Sequence, residues 1–314
     1  MPGISVYNKC NNSCLMCTNP DEFWEMDGCY FSLTYLSERI ERFRNGTEEF
    51  LDNFRDSFSI SGGEPTLASH LSEVIKKINS LFPGIRIVCL TNGRMFSYAD
   101  YVRQTLRLNA NLEFAVSLHG HNAGVHDKIT QTPGSFTQTV TGLKNIFRFK
   151  RPDESIEIRV VIHRLNYKFL EEIAGFIKMN FPQVNRLVFM FFEIEGQAVK
   201  NLKALRLTYA QLSPYIDKIF NFIALFPQVR LYHFPLCTLP PKFYPYIWRT
   251  LPDFEVSFPE SCKECGLKKL CLGVHKGYLK YVGSSEFRPI KDKIRIRKGR
   301  GRYHPIIGVG GSSS

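Results

Sequence analysis

Short strings of β-branched and aromatic residues alternate, through the first three quarters of the chain, with longer strings whose apolar positions recur every three or four residues. The first pattern predicts buried strands and the second amphipathic helices. ISVYN precedes LTYLSERIERF, SFSIS precedes SHLSEVIKKINSLF, and IRIVCLTN precedes YADYVRQTLRL. LEFAVSL then leads to FTQTVTGLKNIFRF, SIEIRVVIH to YKFLEEIAGFIKMN, and RLVFMFFEI to TYAQLSPYIDKIFNFIALF. Six such units predict an α/β fold, a parallel sheet covered by helices. They are too few to close an eight-stranded barrel. Periodicity alone leaves a partial barrel and a doubly wound sheet both open, and either places functional groups at the carboxyl ends of the strands.

The pattern changes after about residue 228. Prolines crowd HFPLCTLPPKFYPYIW, and the stretch beyond is irregular and cysteine-rich. The chain therefore divides into an α/β domain over 1–228, a small unit over 229–285 and a tail over 286–314. The formal charge of +12 is weighted toward that tail, which carries Arg288, Lys291, Lys293, Arg295, Arg297, Lys298, Arg300 and Arg302. A basic run gathers acidic partners or nucleic acid. The competing reading is a solvated, flexible end, which the closing GVGGSSS favours. No apolar run approaches the ~20 residues of a membrane span. The opening MPGISVYNKC enters a strand at once and leaves no room for a secretory signal, so a cytoplasmic protein is expected.

Nine cysteines in a long chain without such a signal point to metal ligation rather than disulfides. Cys10, Cys14 and Cys17 stand in the spacing C-x3-C-x2-C, which supplies three thiolates and no fourth. Structural zinc and electron-transfer clusters are closed by four ligands. Three sulfurs can hold three irons of a four-iron cluster and leave the last iron open to a bound molecule. Cys262, Cys265 and Cys271 form C-x2-C-x5-C, with Cys237 upstream in FPLCTLP. Four thiolates suit one [4Fe–4S] cluster or one structural zinc. Cys89 reads as a buried strand residue, and Cys29 is isolated. After the second strand comes Gly62-Gly63-Glu64-Pro65; its glycines admit close backbone approach and its proline fixes the turn.

The cysteine spacing and the GGEP turn together resemble the radical S-adenosylmethionine (SAM) superfamily, over about residues 4–275. The resemblance implies a partial (β/α)6 barrel akin to a TIM barrel. It implies a [4Fe–4S] cluster with one open iron, held by Cys10, Cys14 and Cys17, and SAM bound at that iron. Gly62, Gly63 and Glu64 match the turn that receives the SAM amino group, partly through backbone carbonyls. Ser117, in VSLHGHNAGVHDKITQTPGSF, matches a ribose-binding position, and Met16 stands where an aromatic residue commonly covers adenine. Arg159 matches the partner of the SAM carboxylate, a structural ion pair being its other reading. His126 and Asp127 match a His-Asp pair that also reads as a helix cap. His119 replaces the usual acidic residue of that turn, so no acidic role is carried onto it.

Cys237, Cys262, Cys265 and Cys271 resemble SPASM and twitch extensions, which implies an auxiliary [4Fe–4S] cluster. His275 stands where the SPASM pattern has another cysteine. The strings CNNSCLMC, GGEPTL, GSF and EIRVVIH look most like the maturases of the His-Xaa-Ser peptide system. The implied activity is reductive cleavage of SAM to a 5′-deoxyadenosyl radical that takes hydrogen from a ribosomally made peptide. Such an enzyme needs a low-potential electron donor. With no separate recognition domain expected before the first strand, a partner maturase, a leader-binding protein or the basic tail would bring the peptide. An RNA-modifying radical SAM enzyme is the alternative, with a non-enzymatic zinc or iron–sulfur protein behind it.

Overall fold

The computed structural model describes residues 3–48, 57–108 and 110–310. Eight strands form one sheet in chain order: β1 (Gly3–Ser5), β2 (Ser57–Ser61), β3 (Arg86–Thr91), β4 (Leu112–Ser117), β5 (Ser155–Ile162), β6 (Arg186–Phe191), β7 (Val229–Tyr232) and β8 (Ile247–Trp248). Every pairing is parallel. β1 and β8 each pair on one side only among the described residues, so the barrel stays open. The first six strands are each followed by helix, as the alternation predicts. In β3, Ile87 and Cys89 pack outward into the core, while Arg86, Val88 and Leu90 face the barrel interior.

The helices begin where the sequence can cap them. Ser32 accepts the Tyr35 N–H at 3.3 Å and starts Leu33–Arg44, whose Leu36, Ile40 and Phe43 are buried. Thr208 and Gln211 form a capping box ahead of Tyr209–Ile223. No helix among the described residues is long and apolar enough to cross a membrane.

Two expectations are corrected. The boundary at 228/229 does not separate two bodies, because Val229–Tyr232 and Ile247–Trp248 continue the main sheet. Prolines surrounding such short strands hide them from a periodicity reading. The basic tail is also ordered as far as residue 310. Ile296–Lys298 pairs antiparallel with Ile306–Val309, and Phe287 and Ile306 are buried. The Arg249 N–H donates to Tyr303 O at 2.7 Å, and His304 stacks on Trp248 at 4.5 Å between ring centroids. Residues 311–314 lie outside the described ones.

Candidate cluster and cofactor site

The carboxyl ends of the strands open onto a cavity of about 1600 Å³. Cys10, Cys14 and Cys17 all line it, carried by the loop that follows β1. Four other elements hold that loop. Gly63 N–H donates to Tyr7 O at 2.7 Å and Glu64 N–H to Lys9 O at 2.8 Å, which seats the GGEP turn against it. The N–H groups of Ser13 and Leu15 donate to Thr130 O and Ile129 O, at the end of helix Ala123–Thr130. Gln197 N–H donates to Cys17 O at 2.8 Å, from the segment after β6. Arg94, just past β3, donates to Asn11 O and Asn12 Oδ1.

The two glycines are required by this contact. A Cβ on Gly62, where φ is +146°, would stand 2.4 Å from Tyr7 O; one on Gly63 would stand 2.3 Å from Lys9 O. Glu64 turns inward. Its Oε1 accepts from Thr66 N, Thr66 Oγ1 and Thr91 Oγ1, and its Oε2 accepts from Asn92 N at 2.7 Å. Burial raises its pKa in spite of these four donors. Its carboxylate is thereby hydrogen-bonded within the protein. Asn19 Nδ2 already donates to Gly62 O at 3.1 Å.

Ser117, Arg159 and Met16 line the same cavity, with Ser117 paired in register to Arg159 across β4 and β5. Burial works against the charge on Arg159, but the Glu157 carboxylate bonded to its Nε outweighs this and raises its pKa. Arg159 is thus ion-paired and still faces the cavity. Asp127 accepts from Gly134 N, Ser135 Oγ and Phe136 N, which makes it the anchor of helix Ser135–Phe149. His126 is buried, neutral with its pKa lowered to about 4, and accepts from His119 N through Nδ1. The capping reading of the pair holds for Asp127.

Several residues of the site belong to no sequence motif. Asn92 donates through Nδ2 to Asn11 Oδ1 at 2.6 Å and lies 3.8 Å from Cys10 Sγ. Glu193 and His233 face one another at 3.4 Å past β6 and β7, His233 with φ +67°. The His233 ring bonds Phe191 O through Nδ1, and burial pushes Glu193 up to about 7. Their only signal was position after a strand.

The donor set fits a cluster with an open corner. Three soft thiols share one wall, and Asn12 N–H donates to Cys10 Sγ at 3.3 Å, as amides do around cluster sulfurs. Burial pushes the Cys10 thiol up to about 11 and raises Cys14 and Cys17 as well, so a bound metal must displace their protons.

The second cysteine group gathers around a small apolar pocket lined by Cys237, Cys262, Cys265 and Cys271. Leu236 N–H and Gly273 N–H each donate to Cys271 Sγ at 3.4 Å. His275 turns away to Glu195, 2.9 Å from its Nε2. Cys89 is buried in β3, and Cys29 is exposed on the surface.

An open parallel barrel with a three-thiol loop after its first strand and a glycine turn beside it defines a class of iron–sulfur enzyme. The profile of the Radical SAM superfamily matches residues 4–177, and the chain belongs to that superfamily. It is 29% identical over 115 residues to an AdoMet-dependent heme synthase of Methanosarcina barkeri (strain Fusaro / DSM 804), covering 37% of this chain and 30% of that protein. A second heme synthase, from Oleidesulfovibrio alaskensis (strain ATCC BAA-1058 / DSM 17464 / G20), is 26% identical over 113 residues, covering 36% and 27%. The match spans under a third of these relatives' length.

The fold is shared with Streptococcus suis SuiB bound to its precursor peptide SuiA, at TM-score 0.50 and 16% identity over 71% of this chain and 45% of that one. It is shared with anSMEcpe bound to AdoMet and a Cp18Cys peptide, at TM-score 0.52 and 17% identity over 73% and 62%.

Proposed function

We propose that this protein is a peptide-maturing radical SAM enzyme with one auxiliary iron–sulfur cluster. The observation that carries this reading is the convergence of Cys10, Cys14, Cys17, the Gly62–Gly63 turn, Ser117 and Arg159 on one cavity. At about 1600 Å³ it exceeds the 300–1,000 Å³ usual for a single small ligand, leaving room for SAM and a segment of chain together. SuiB and anSMEcpe, of the same fold, were crystallised with peptides, which supports a peptide over other substrates.

When bound, the cluster and SAM would supply radical chemistry: one-electron reductive cleavage of SAM, with methionine as the leaving group, directed at hydrogen abstraction from substrate carbon. The protein's own work is placement. The three thiolates hold three irons, and the Gly62–Gly63 backbone meets the SAM amino group. Arg159, steadied by Glu157, presents its remaining N–H donors to the SAM carboxylate, and Ser117 reaches the ribose. Met16, 7% exposed, covers the adenine through its thioether. Cys237, Cys262, Cys265 and Cys271 hold the auxiliary [4Fe–4S] cluster. A low-potential donor delivers the electron, and a leader-binding or partner maturase brings the peptide.

The test is anaerobic reconstitution of the full chain with iron and sulfide, followed by SAM and dithionite. Wild type is expected to release 5′-deoxyadenosine, and Cys14→Ala to release none. A Cys14→Ala protein that forms it at the wild-type rate overturns the reading.

A further inference from the structure

Along the inner wall of the barrel, β3–β7 carry, among the described residues, four arginines and two glutamates. Arg86, Arg159, Arg186 and Arg230 face Glu113 and Glu157, four positive groups against two negative. Arg186 spends its donors within the protein: NH1 reaches Glu113 at 2.6 Å and Glu157 at 2.7 Å, and Nε reaches Gln228 at 2.7 Å. Arg86 has Glu113 at 3.6 Å, and its Nε is buried with no hydrogen-bond partner among the described residues.

Arg230 differs from these. Among the described residues it bonds only neutral oxygens, Tyr232 Oη through NH1 and Gln228 Oε1 through NH2, each at 3.2 Å. Its Nε is buried and unpartnered. Its guanidinium lies 3.5 Å from the Trp248 ring centroid, and Trp248 is backed on His304 of the C-terminal hairpin. An aromatic face orients a guanidinium and attracts it without neutralising it. In register, Arg159, Val188 and Arg230 form one row, so a valine is all that stands between the two arginines on the sheet.

We propose that Arg230 is the anchor of a substrate subsite for a carboxylate, so that the peptide modified here presents an acidic group inside the barrel. The inference rests on the peptide reading above and names the chemistry of its substrate. A surplus of positive charge in a partly desolvated cavity is costly unless an anion compensates it. The guanidinium of Arg230, oriented by Trp248, holds its NH1 and NH2 only in 3.2 Å bonds to neutral oxygens, long bonds that a carboxylate replaces with charge-assisted ones. Arg159, its neighbour across Val188, keeps the SAM carboxylate, so the two anions take adjoining sites. An interior position suits a carboxyl at the tip of one side chain or at a chain end. It does not suit a phosphodiester, which carries a nucleoside on both sides.

The experiment is calorimetric titration of the anaerobically reconstituted full chain. The probes are acetyl-Gly-Glu-Gly-amide, acetyl-Gly-Gln-Gly-amide, acetyl-Gly-Gln-Gly with a free carboxyl end, and inorganic phosphate. The Glu peptide is expected to bind at least tenfold tighter than the Gln amide; equal gain from the free carboxyl end would assign the subsite to a C-terminus. Arg230→Gln should erase the discrimination and Arg230→Lys restore part of it, with thermal melts confirming that both variants fold. Equal binding of Glu and Gln peptides to wild type overturns the inference, as does discrimination that survives Arg230→Gln or tighter binding of phosphate than of either carboxylate. Deoxyadenosine release by the same wild-type preparation keeps the two readings apart: release without discrimination removes the carboxylate subsite alone, and no release removes the radical enzyme.

Discussion

The Glu64 carboxylate accepts the main-chain N–H of Asn92 at 2.7 Å, tying the turn after β2 to the end of β3. Asn92 in turn bonds Asn11, so one buried acid braces the cysteine loop from below. Glu64→Ala would orphan the Asn92 and Thr66 amides together with two hydroxyls. The expected loss is about 2–4 kcal/mol of stability, with lowered iron retention after reconstitution. Denaturant unfolding and iron assay check this; a loss below about 0.5 kcal/mol would mean that the brace is ornamental.

The sequence made the barrel and its cysteine loop legible for physical reasons that did not extend everywhere. Strands such as RIVCLT, buried by helices on one side, must be apolar there, and C-x3-C-x2-C cannot be mistaken for a packing pattern. The GGEP glycines were readable because no side chain fits against Tyr7 O and Lys9 O. The motif gives the residue type at Glu64 and not the direction of its carboxylate. Strands β7 and β8, at four and two residues, carry no period, and the closing GVGGSSS reads as a flexible end while Phe287 and Ile306 form no local pattern. Asn92, Arg94 and Arg230 act through tertiary contacts, which no local pattern announces.

The second cysteine group predicts a metal count. A full chain with two cubanes carries about eight irons, and Cys271→Ser should bring this to about four. Elemental analysis of anaerobically purified protein decides it. About one zinc per chain lost on the same substitution would reassign the site to structural zinc.

Order in the C-terminal hairpin has an energetic consequence. Ile306 is 1% exposed, paired with Lys298 and packed in the core, so Ile306→Ala should cost about 2–5 kcal/mol. The same change in a solvated tail would cost nothing. Urea unfolding gives the energy, and trypsin cleavage at Arg295–Arg302 should accelerate in the variant. An unchanged midpoint and unchanged cleavage would return this segment to a flexible end.

Acid should weaken the fold through its buried imidazoles. Burial lowers His163 from the usual 6.5 to about 3, and its Nδ1 is occupied in accepting the Leu165 N–H at 3.2 Å. The unfolded chain takes up a proton there once pH falls below about 6.5, while the native chain stays neutral until about 3. Its contribution is therefore complete above about 6.5 and is lost as pH falls toward 3. Glu193, raised to about 7, acts in the opposite sense, since the native state holds its proton longer and stability drops as pH rises from about 4.5 to 7. A comparison of variant with wild type cancels that opposing contribution. His163→Asn keeps an acceptor for Leu165 and removes the titration. Between about pH 6.5 and 5.5 its unfolding free energy should fall by about 1 kcal/mol less than that of wild type. Parallel urea titrations at about pH 5.5 and 6.5 measure the difference, and identical slopes would show that His163 meets the proton equally in both states.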